Sequence, residues 1–171
     1  PQRVQAEGWA PVAGPAARPT AAAIQLGAAR VWRLDDDHWA PTSEPGGAGA
    51  WFPHGAGGVP GVDGRRIGGE AVRPMRDRAL TLCFGARPRL LRWQTAEAAG
   101  CPDAIQGLTL VAAGAPAPGA RGEVGHPEVA LARDGEGRWL VARSGAQGDR
   151  AALAGALARA GARDGMLLGQ G

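Results

Sequence analysis

The sequence predicts an α+β domain in which mostly antiparallel β-hairpins form a sheet with one helix packed on it, after an extended Pro/Gly-rich N-terminal segment. Two observations predict this class. Side chains alternate with a period of two through Glu128 to Arg133 and again through Arg138 to Arg143, as in β-strands. After Asp149 the period changes, and the alanine-rich residues 150–160 follow a helical pattern. Hairpins combined with such a helix are typical of the α+β class.

The first part of the chain is the less regular part. Residues 1–30 are rich in alanine, proline and glycine, and we interpret them as an extended lead before a single domain at residues 31–171. Because proline disrupts helices and central strands, residues 1–20 are expected to become ordered only through contacts with this domain or a neighbouring subunit. A short strand is expected from Ala29 to Leu34. Residues 41–64 look loop-like and end in an Asp-Gly turn signal.

The second part predicts a regular succession of strands. Residues 79–84 and 89–93 are expected to form a hairpin around a Gly-Ala-Arg-Pro turn. A further strand is expected at residues 108–112, before a Gly/Pro/Ala loop. The clearest hairpin joins Glu128 to Arg133 with Arg138 to Arg143, and Asp-Gly-Glu-Gly forms its turn.

Each end of the predicted helix carries a suitable residue. Asp149 can accept hydrogen bonds from the first free amides. Leu153 and Leu157 lie one turn apart on the same face. Gly161 can adopt the left-handed conformation that ends helices. A last short buried strand is expected at residues 166–168.

Composition excludes several kinds of chemistry. The chain has 171 residues and a net charge of +3, and its 19 basic residues are all arginine. The absence of lysine excludes a Schiff base or a lysine nucleophile. Aromatic residues do not interleave with the arginines as a nucleic-acid stacking surface requires, so no nucleic-acid partner is expected. No apolar run approaches the roughly 18 residues of a membrane span. The bias towards alanine, glycine, arginine and proline indicates a GC-rich, bacterial coding sequence.

Cys83 and Cys101 are the only cysteines. They could form one disulfide or remain two buried thiols, and the residues alone leave both open. The chain opens Pro-Gln-Arg without an initiator methionine, so we expect a processed product. A secreted or periplasmic location would favour the disulfide.

The last third of the chain resembles a known family. His126 and Pro127 lead into the first strand of the hairpin, a helix follows, and the chain ends Gly-Ala-Arg-Asp-Gly-Met-Leu-Leu-Gly-Gln-Gly. This order is similar to that of the phosphodiester glycosidases, the family typified by the lysosomal uncovering enzyme. There, a Pro-Arg-Thr-Ala strand precedes an acid-Gly turn, and the last strand ends Leu-Asp-Gly-Gly. The resemblance covers roughly residues 60–171.

The departures from the family pattern bear directly on function. The family's strand arginine aligns with Glu128, its threonine with Val129, and its final aspartate with Gly169. The first change reverses a charge that should meet a phosphate, and the last removes a carboxylate. The resemblance therefore implies a degenerate family member. We expect Glu128 and Gly169 to lie close together at the end of the sheet.

Several other polar residues are candidates for a metal or catalytic site, and each also has a simpler interpretation. Asp35, Asp37 and His38 could hold a hard cation, but a solvated acidic turn is the favoured interpretation, and no metal or cofactor is expected. His126 is a candidate catalytic residue because it lies at a strand start near the expected cleft. A histidine bonded to the backbone is the simpler interpretation. Ser144 lacks the Gly-x-Ser-x-Gly pattern of serine hydrolases.

The tryptophans divide into two groups. Trp93 and Trp139 fit strand alternation and are expected in the core. Trp9, Trp39 and Trp51 lie in Pro/Gly-rich segments, where large rings need cover from the domain, a sugar or another protein. We therefore expect a non-catalytic accessory or interaction subunit, a pseudoenzyme on a glycosidase-like scaffold that binds another protein or a larger complex. The alternative is a hydrolase of glycosyl phosphodiesters or related sugar conjugates with a rearranged site.

Overall fold

A computed structural model of the chain describes residues 9–12, 24–26, 29–34, 50–53, 64–84, 88–94 and 99–170. Within these residues a ten-residue helix, α1, spans Arg150–Arg159. The strands in chain order are β1 (Trp9–Val12), β2 (Ile24–Leu26), β3 (Ala29–Leu34), β4 (Ala50–Pro53), β5 (Arg65–Ile67), β6 (Glu70–Arg73), β7 (Leu80–Phe84), β8 (Arg89–Arg92), β9 (Asp103–Gln106), β10 (Thr109–Ala112), β11 (Ala115–Pro116), β12 (Glu128–Asp134), β13 (Trp139–Arg143) and β14 (Ala162–Gln170).

The strands form three sheets from antiparallel pairs. The largest has seven strands in the order β11-β10-β14-β12-β13-β3-β2, and the second has five in the order β6-β5-β9-β7-β8. β1 and β4 form a separate two-stranded ribbon. The α+β class and the hairpin character are confirmed. The single sheet that the sequence predicts is instead two large sheets.

The two large sheets pack face to face around a core of large apolar side chains. Strand alternation places every second residue of β7, β12, β13 and β14 in this space. The buried members are Leu80, Leu82, Phe84, Ile105, Val129, Leu131, Trp139, Val141, Met166 and Leu168.

Helix α1 covers the opposite face of the seven-stranded sheet. Its buried residues Leu153, Ala154, Ala156 and Leu157 pack against small side chains, among them Ala130 of β12. β12 and β13 are therefore buried on both faces. Along both strands the side chains alternate in size. Large residues point towards the second sheet, and mostly small ones point towards the helix.

The strong local signals are confirmed. The hairpins β7–β8 and β12–β13 form, and the predicted Asp-Gly-Glu-Gly turn joins the strands of the second. The side chain of Asp149 accepts a hydrogen bond from the amide of Ala152 at 3.0 Å, and Gly161 follows the helix with φ +92°. Trp93 and Trp139 are 6% and 2% exposed, as expected of core residues.

The domain boundary and the early loop differ from expectation. β3 begins at Ala29 and pairs with β2 on one side and β13 on the other, so a boundary at residue 30 falls inside a sheet strand. β4 lies within the stretch 41–64 that looked loop-like. Residues 1–8 and 13–23, the greater part of the expected extended lead, lie outside the described residues, so their docking stays a prediction.

A disulfide lies on one face of the five-stranded sheet. This face points away from the seven-stranded sheet, and we call it the outer face. Cys83 of β7 is bonded to Cys101, just before β9, 18 residues later in the chain. Trp93 and Ala104 pack around the bridge, with Met75 partly buried against them. The disulfide thus supplies part of a small core that the short strands could not build alone.

Replacing both cysteines, as Cys83→Ala/Cys101→Ala, is expected to lower the free energy of unfolding by about 3 kcal/mol, because a bridge over this span restricts the unfolded chain. Urea unfolding of the oxidised protein and the variant measures the difference. Dithiothreitol should destabilise the parent chain and leave the double variant unchanged. A reductant that affects neither protein contradicts the assignment.

The β12–β13 turn depends on Asp134, whose side chain is 4% exposed. Its carboxylate accepts hydrogen bonds from the backbone amides of Glu136 and Arg138 at 2.9 and 2.8 Å and from the Arg138 guanidinium at 2.8 Å. Burial by itself would raise the pKa of Asp134. The hydrogen bonds from Arg138 and Glu136 outweigh burial and hold the pKa below its ordinary value.

Because this pKa is lowered on folding, the carboxylate contributes stability that is present above about pH 4 and is lost as the pH falls through the folded-state pKa. Asp134→Ala is expected to lower the free energy of unfolding by roughly 1–3 kcal/mol at pH 7, and by clearly less at about pH 2. Urea titrations at both pH values test this, with the exposed Glu136→Ala as control. An equal loss at both values would show that the charge plays no part.

Candidate functional site

The candidate site lies where β12 begins, next to the end of β13 and the start of α1. Glu128 is the first residue of β12 and is completely buried. Its amide donates to the Ser144 hydroxyl at 2.8 Å, and its carbonyl accepts from the Ser144 amide at 2.9 Å. The Ser144 hydroxyl donates in turn to the carbonyl of Gly145 at 3.1 Å. Ser144 therefore extends the β12–β13 pairing by one residue.

The carboxylate of Glu128 is paired with the guanidinium of Arg150. Arg150 Nε lies 2.9 Å from Oε2 and 3.2 Å from Oε1, and a terminal guanidinium nitrogen lies 2.6 Å from Oε1. The Arg150 side chain is only 12% exposed. Two-pronged contacts of this kind are strong and fix the geometry of both partners. The pair is thus an internal, charge-neutral unit.

Arg150 is an unusual first residue for a helix. The amino end of a helix carries partial positive charge and favours acidic side chains, yet the first turn of α1 contains none. The carboxylate of Asp149 caps the end of the helix, and the carboxylate of Glu128, supplied by the neighbouring strand, neutralises the Arg150 guanidinium.

The loop before α1 fits closely against the segment before β12. The amides of Val124 and Gly125 donate to the carbonyl of Gln147 at 3.1 and 3.0 Å. Gly148 has φ +66°, and a Cβ atom there would lie 2.2 Å from the carbonyl oxygen of His126. No side chain larger than hydrogen fits at position 148. Nδ1 of His126 lies 3.2 Å from the carbonyl oxygen of Pro127. This is the backbone contact expected of a histidine that is not catalytic.

A small cleft opens beside this loop. Its volume is about 100 Å³, and Ala29, Ala152 and residues 144–149 line it. Binding sites for drug-sized ligands usually measure about 300–1,000 Å³. The carboxylate of Asp149 at its edge already caps α1. The cleft is therefore too small for a sugar phosphodiester.

The register of β12 and β14 brings the aligned positions together. Glu128 lies opposite Gln170, and Val129 lies opposite Gly169. Glu128 and Gly169 are therefore diagonal neighbours on adjacent strands, close together as expected. The register shifts between Val129 and Ala130, and Gly169 has φ +153°. Because that conformation favours glycine, a carboxylate at 169 would strain the backbone.

The remaining predicted residues do not join this site. Asp35, Asp37, His38 and Trp39 lie outside the described residues. Within the described part of the chain, no three His, Cys, Asp or Glu side chains converge on a possible metal position. No helix among the described residues is long and apolar enough to cross a membrane.

The two tryptophans in the ribbon are placed by its register. Trp9 lies opposite Pro53, and Trp51 lies opposite Pro11. β4 also contacts β14. Both partner-binding candidates therefore belong to one ribbon near the seven-stranded sheet.

Sequence reasoning missed the two residues that complete the site. Arg150 and Ser144 were not linked to Glu128, which lies 22 and 16 residues away in the chain. One signal was available, since an arginine at the first position of a helix adds positive charge to its positive end and indicates a counter-charge from elsewhere.

No protein-family model matches the chain, and no curated protein matches it either.

Removing one partner of the buried pair is expected to be costly. Glu128→Leu and Arg150→Leu should each lower the free energy of unfolding by about 3–5 kcal/mol, because the other charge is left buried and uncompensated. The double variant should recover a large part of that loss, since it leaves no buried charge. Urea unfolding of all four proteins gives the coupling.

The control for this cycle is Glu136→Leu. Glu136 forms a 2.8 Å ion pair with Arg138 on the surface, and such pairs contribute about 0–1 kcal/mol. Strictly additive losses at Glu128 and Arg150 would contradict the account of a closed pair.

Proposed function

We propose that this chain is a non-catalytic interaction domain built on a scaffold like that of the phosphodiester glycosidases. The observation that carries the proposal is the Glu128–Arg150 pair. Glu128, at the aligned position, is buried, and its carboxylate is bonded at 2.6–3.2 Å to the guanidinium of Arg150, which is 12% exposed. A phosphodiester substrate needs an unpaired cation to meet its negative charge.

The cost of opening this pair argues against substrate binding there. To release Arg150 for a phosphate, the protein would leave the fully buried carboxylate of Glu128 without a partner. Such a loss typically costs about 3–5 kcal/mol. Two further features support the proposal, the small volume of the neighbouring cleft and the glycine-type backbone at Gly169, where the family places its aspartate.

One observation favours the alternative, a hydrolase of glycosyl phosphodiesters with a rearranged site. Arg150 brings a guanidinium from the helix to the strand position where the family supplies one from β12. Glu128 would then be the residue that positions it. In this alternative, chemistry depends on Glu128 and Arg150 together.

The Cys83–Cys101 disulfide is typical of oxidising compartments. We propose that the domain works outside the reducing cytosol, as a secreted or periplasmic accessory subunit. A protein partner, or a sugar as the further possibility, would cover the ribbon that carries Trp9 and Trp51.

The two functions are separated by an activity assay with matched variants. The purified chain is incubated with bis(4-nitrophenyl) phosphate and with a 4-nitrophenyl glycosyl phosphodiester, with and without divalent metal. We expect no release of nitrophenol above buffer. Turnover that disappears in the near-isosteric Glu128→Gln, while the exposed Glu136→Gln retains it, would overturn the proposal. Circular dichroism confirms that both variants are folded.

A further inference from the structure

The five-stranded sheet carries the positive charge of the protein. Residues 64–106 contain eight arginines and four acidic residues, a net charge of +4, whereas the whole chain carries +3. The rest of the molecule is therefore close to neutral. An excess of one sign on one sheet steers association with a partner of the opposite sign.

The register fixes where two of these arginines lie. Arg66, Ala104, Cys83 and Arg89 face one another in a single row across β5, β9, β7 and β8. Cys83 and Ala104 belong to the small core on the outer face, so Arg66 and Arg89 also lie on that face. Three strand spacings separate them, roughly 14 Å. The Arg66 guanidinium is held over the Trp93 ring at 5.7 Å.

A loop held against this face through Met75 and Gln106 carries two more arginines. The buried side chain of Gln106 holds the backbone of Arg76 from both sides, accepting from its amide at 2.8 Å and donating to its carbonyl at 3.0 Å. Gln106 also donates to the hydroxyl of Thr81 at 3.0 Å. Arg78, two residues on, has φ +62°, and its carbonyl oxygen accepts a hydrogen bond from the Arg92 guanidinium at 3.1 Å. The loop is thus fixed through its backbone.

This fixed backbone leaves the two loop side chains exposed. Arg76, Arg78 and Arg89 are all exposed. Within the described part of the chain, none of them forms an ion pair with a carboxylate. An exposed guanidinium group that forms no ion pair attracts anions. A backbone held this firmly lowers the entropy lost on binding.

We propose that Arg66, Arg76, Arg78 and Arg89, which we call the arginine face, dock an acidic, Glu/Asp-rich segment of a protein partner. Guanidinium groups match carboxylates in two-pronged geometry. This inference rests on the proposed interaction role and names its surface and partner chemistry.

An acidic protein fits the arginine face better than a nucleic acid. Asp77 lies between Arg76 and Arg78 in the loop and is exposed, so it would repel a continuous phosphate backbone. The Trp93 ring is 6% exposed and is not presented for base stacking. A partner protein can carry both acidic and basic groups. Contacts of both signs would then fix its orientation on this mixed surface.

Charge-reversed variants test the surface. Arg76→Glu/Arg78→Glu changes the arginine face while keeping the backbone contacts of Gln106. The control Arg121→Glu/Arg163→Glu makes the same change in net charge at two exposed residues outside the five-stranded sheet. Fluorescence anisotropy measures binding of a labelled poly-glutamate peptide of about 20 residues, at about 50 and 200 mM salt. Urea midpoints confirm that all three proteins are folded.

We expect the face variant to bind the peptide at least about tenfold more weakly than the parent chain, and the control to stay within about twofold. Equal losses in both variants, or no saturable binding by the parent, would overturn the assignment. Tighter binding of a single-stranded DNA with the same number of charges, lost only in the face variant, would replace the acidic protein with a nucleic acid. None of these results depends on phosphodiester turnover, so the arginine face and the non-catalytic role can fail separately.

Discussion

The burial of the Glu128 carboxylate is the constraint on which the arrangement of β12, β13 and α1 depends. β12 is the central strand of the larger sheet and is covered on one face by the second sheet and on the other by the helix. A charge at its start must be neutralised inside the protein. Arg150 does this from the first position of α1, which fixes the amino end of the helix over the end of the strand.

The same constraint explains the shape of the loop before the helix. For Arg150 to reach Glu128, the chain after β13 must turn tightly and approach the segment before β12. Gly148 permits this with φ +66° and no side chain facing His126. The amide of Arg150 donates to the carbonyl of Gly122 at 3.1 Å. The loop therefore serves the ion pair, and little space remains for a ligand.

Small residues have a comparable structural role elsewhere in the domain. A Cβ atom at Gly107 would lie 1.9 Å from the carbonyl oxygen of Leu167, and one at Gly165 would lie 2.9 Å from the Cβ atom of Ala132. The alanine and glycine that dominate the composition thus let α1 and the strands approach closely. A coding bias towards these residues is compatible with a well-packed core because the sheet uses them on the face towards the helix.

The parts of the fold that depend on local interactions were predictable from the sequence, whereas the candidate site was not. The β12–β13 hairpin and α1 follow from side-chain period and end residues within about ten positions. The β5–β6 hairpin was missed because its strands have three and four residues, although Gly68 and Gly69 form its turn with φ +58° and +90°. The division into two sheets depends on pairings between distant strands, such as β3 with β13, which no local period encodes. The pairing of Glu128 with Arg150 is equally non-local. It joins residues 22 positions apart, whereas the ion pair of Arg138 with the buried carboxylate of Asp134 spans only four.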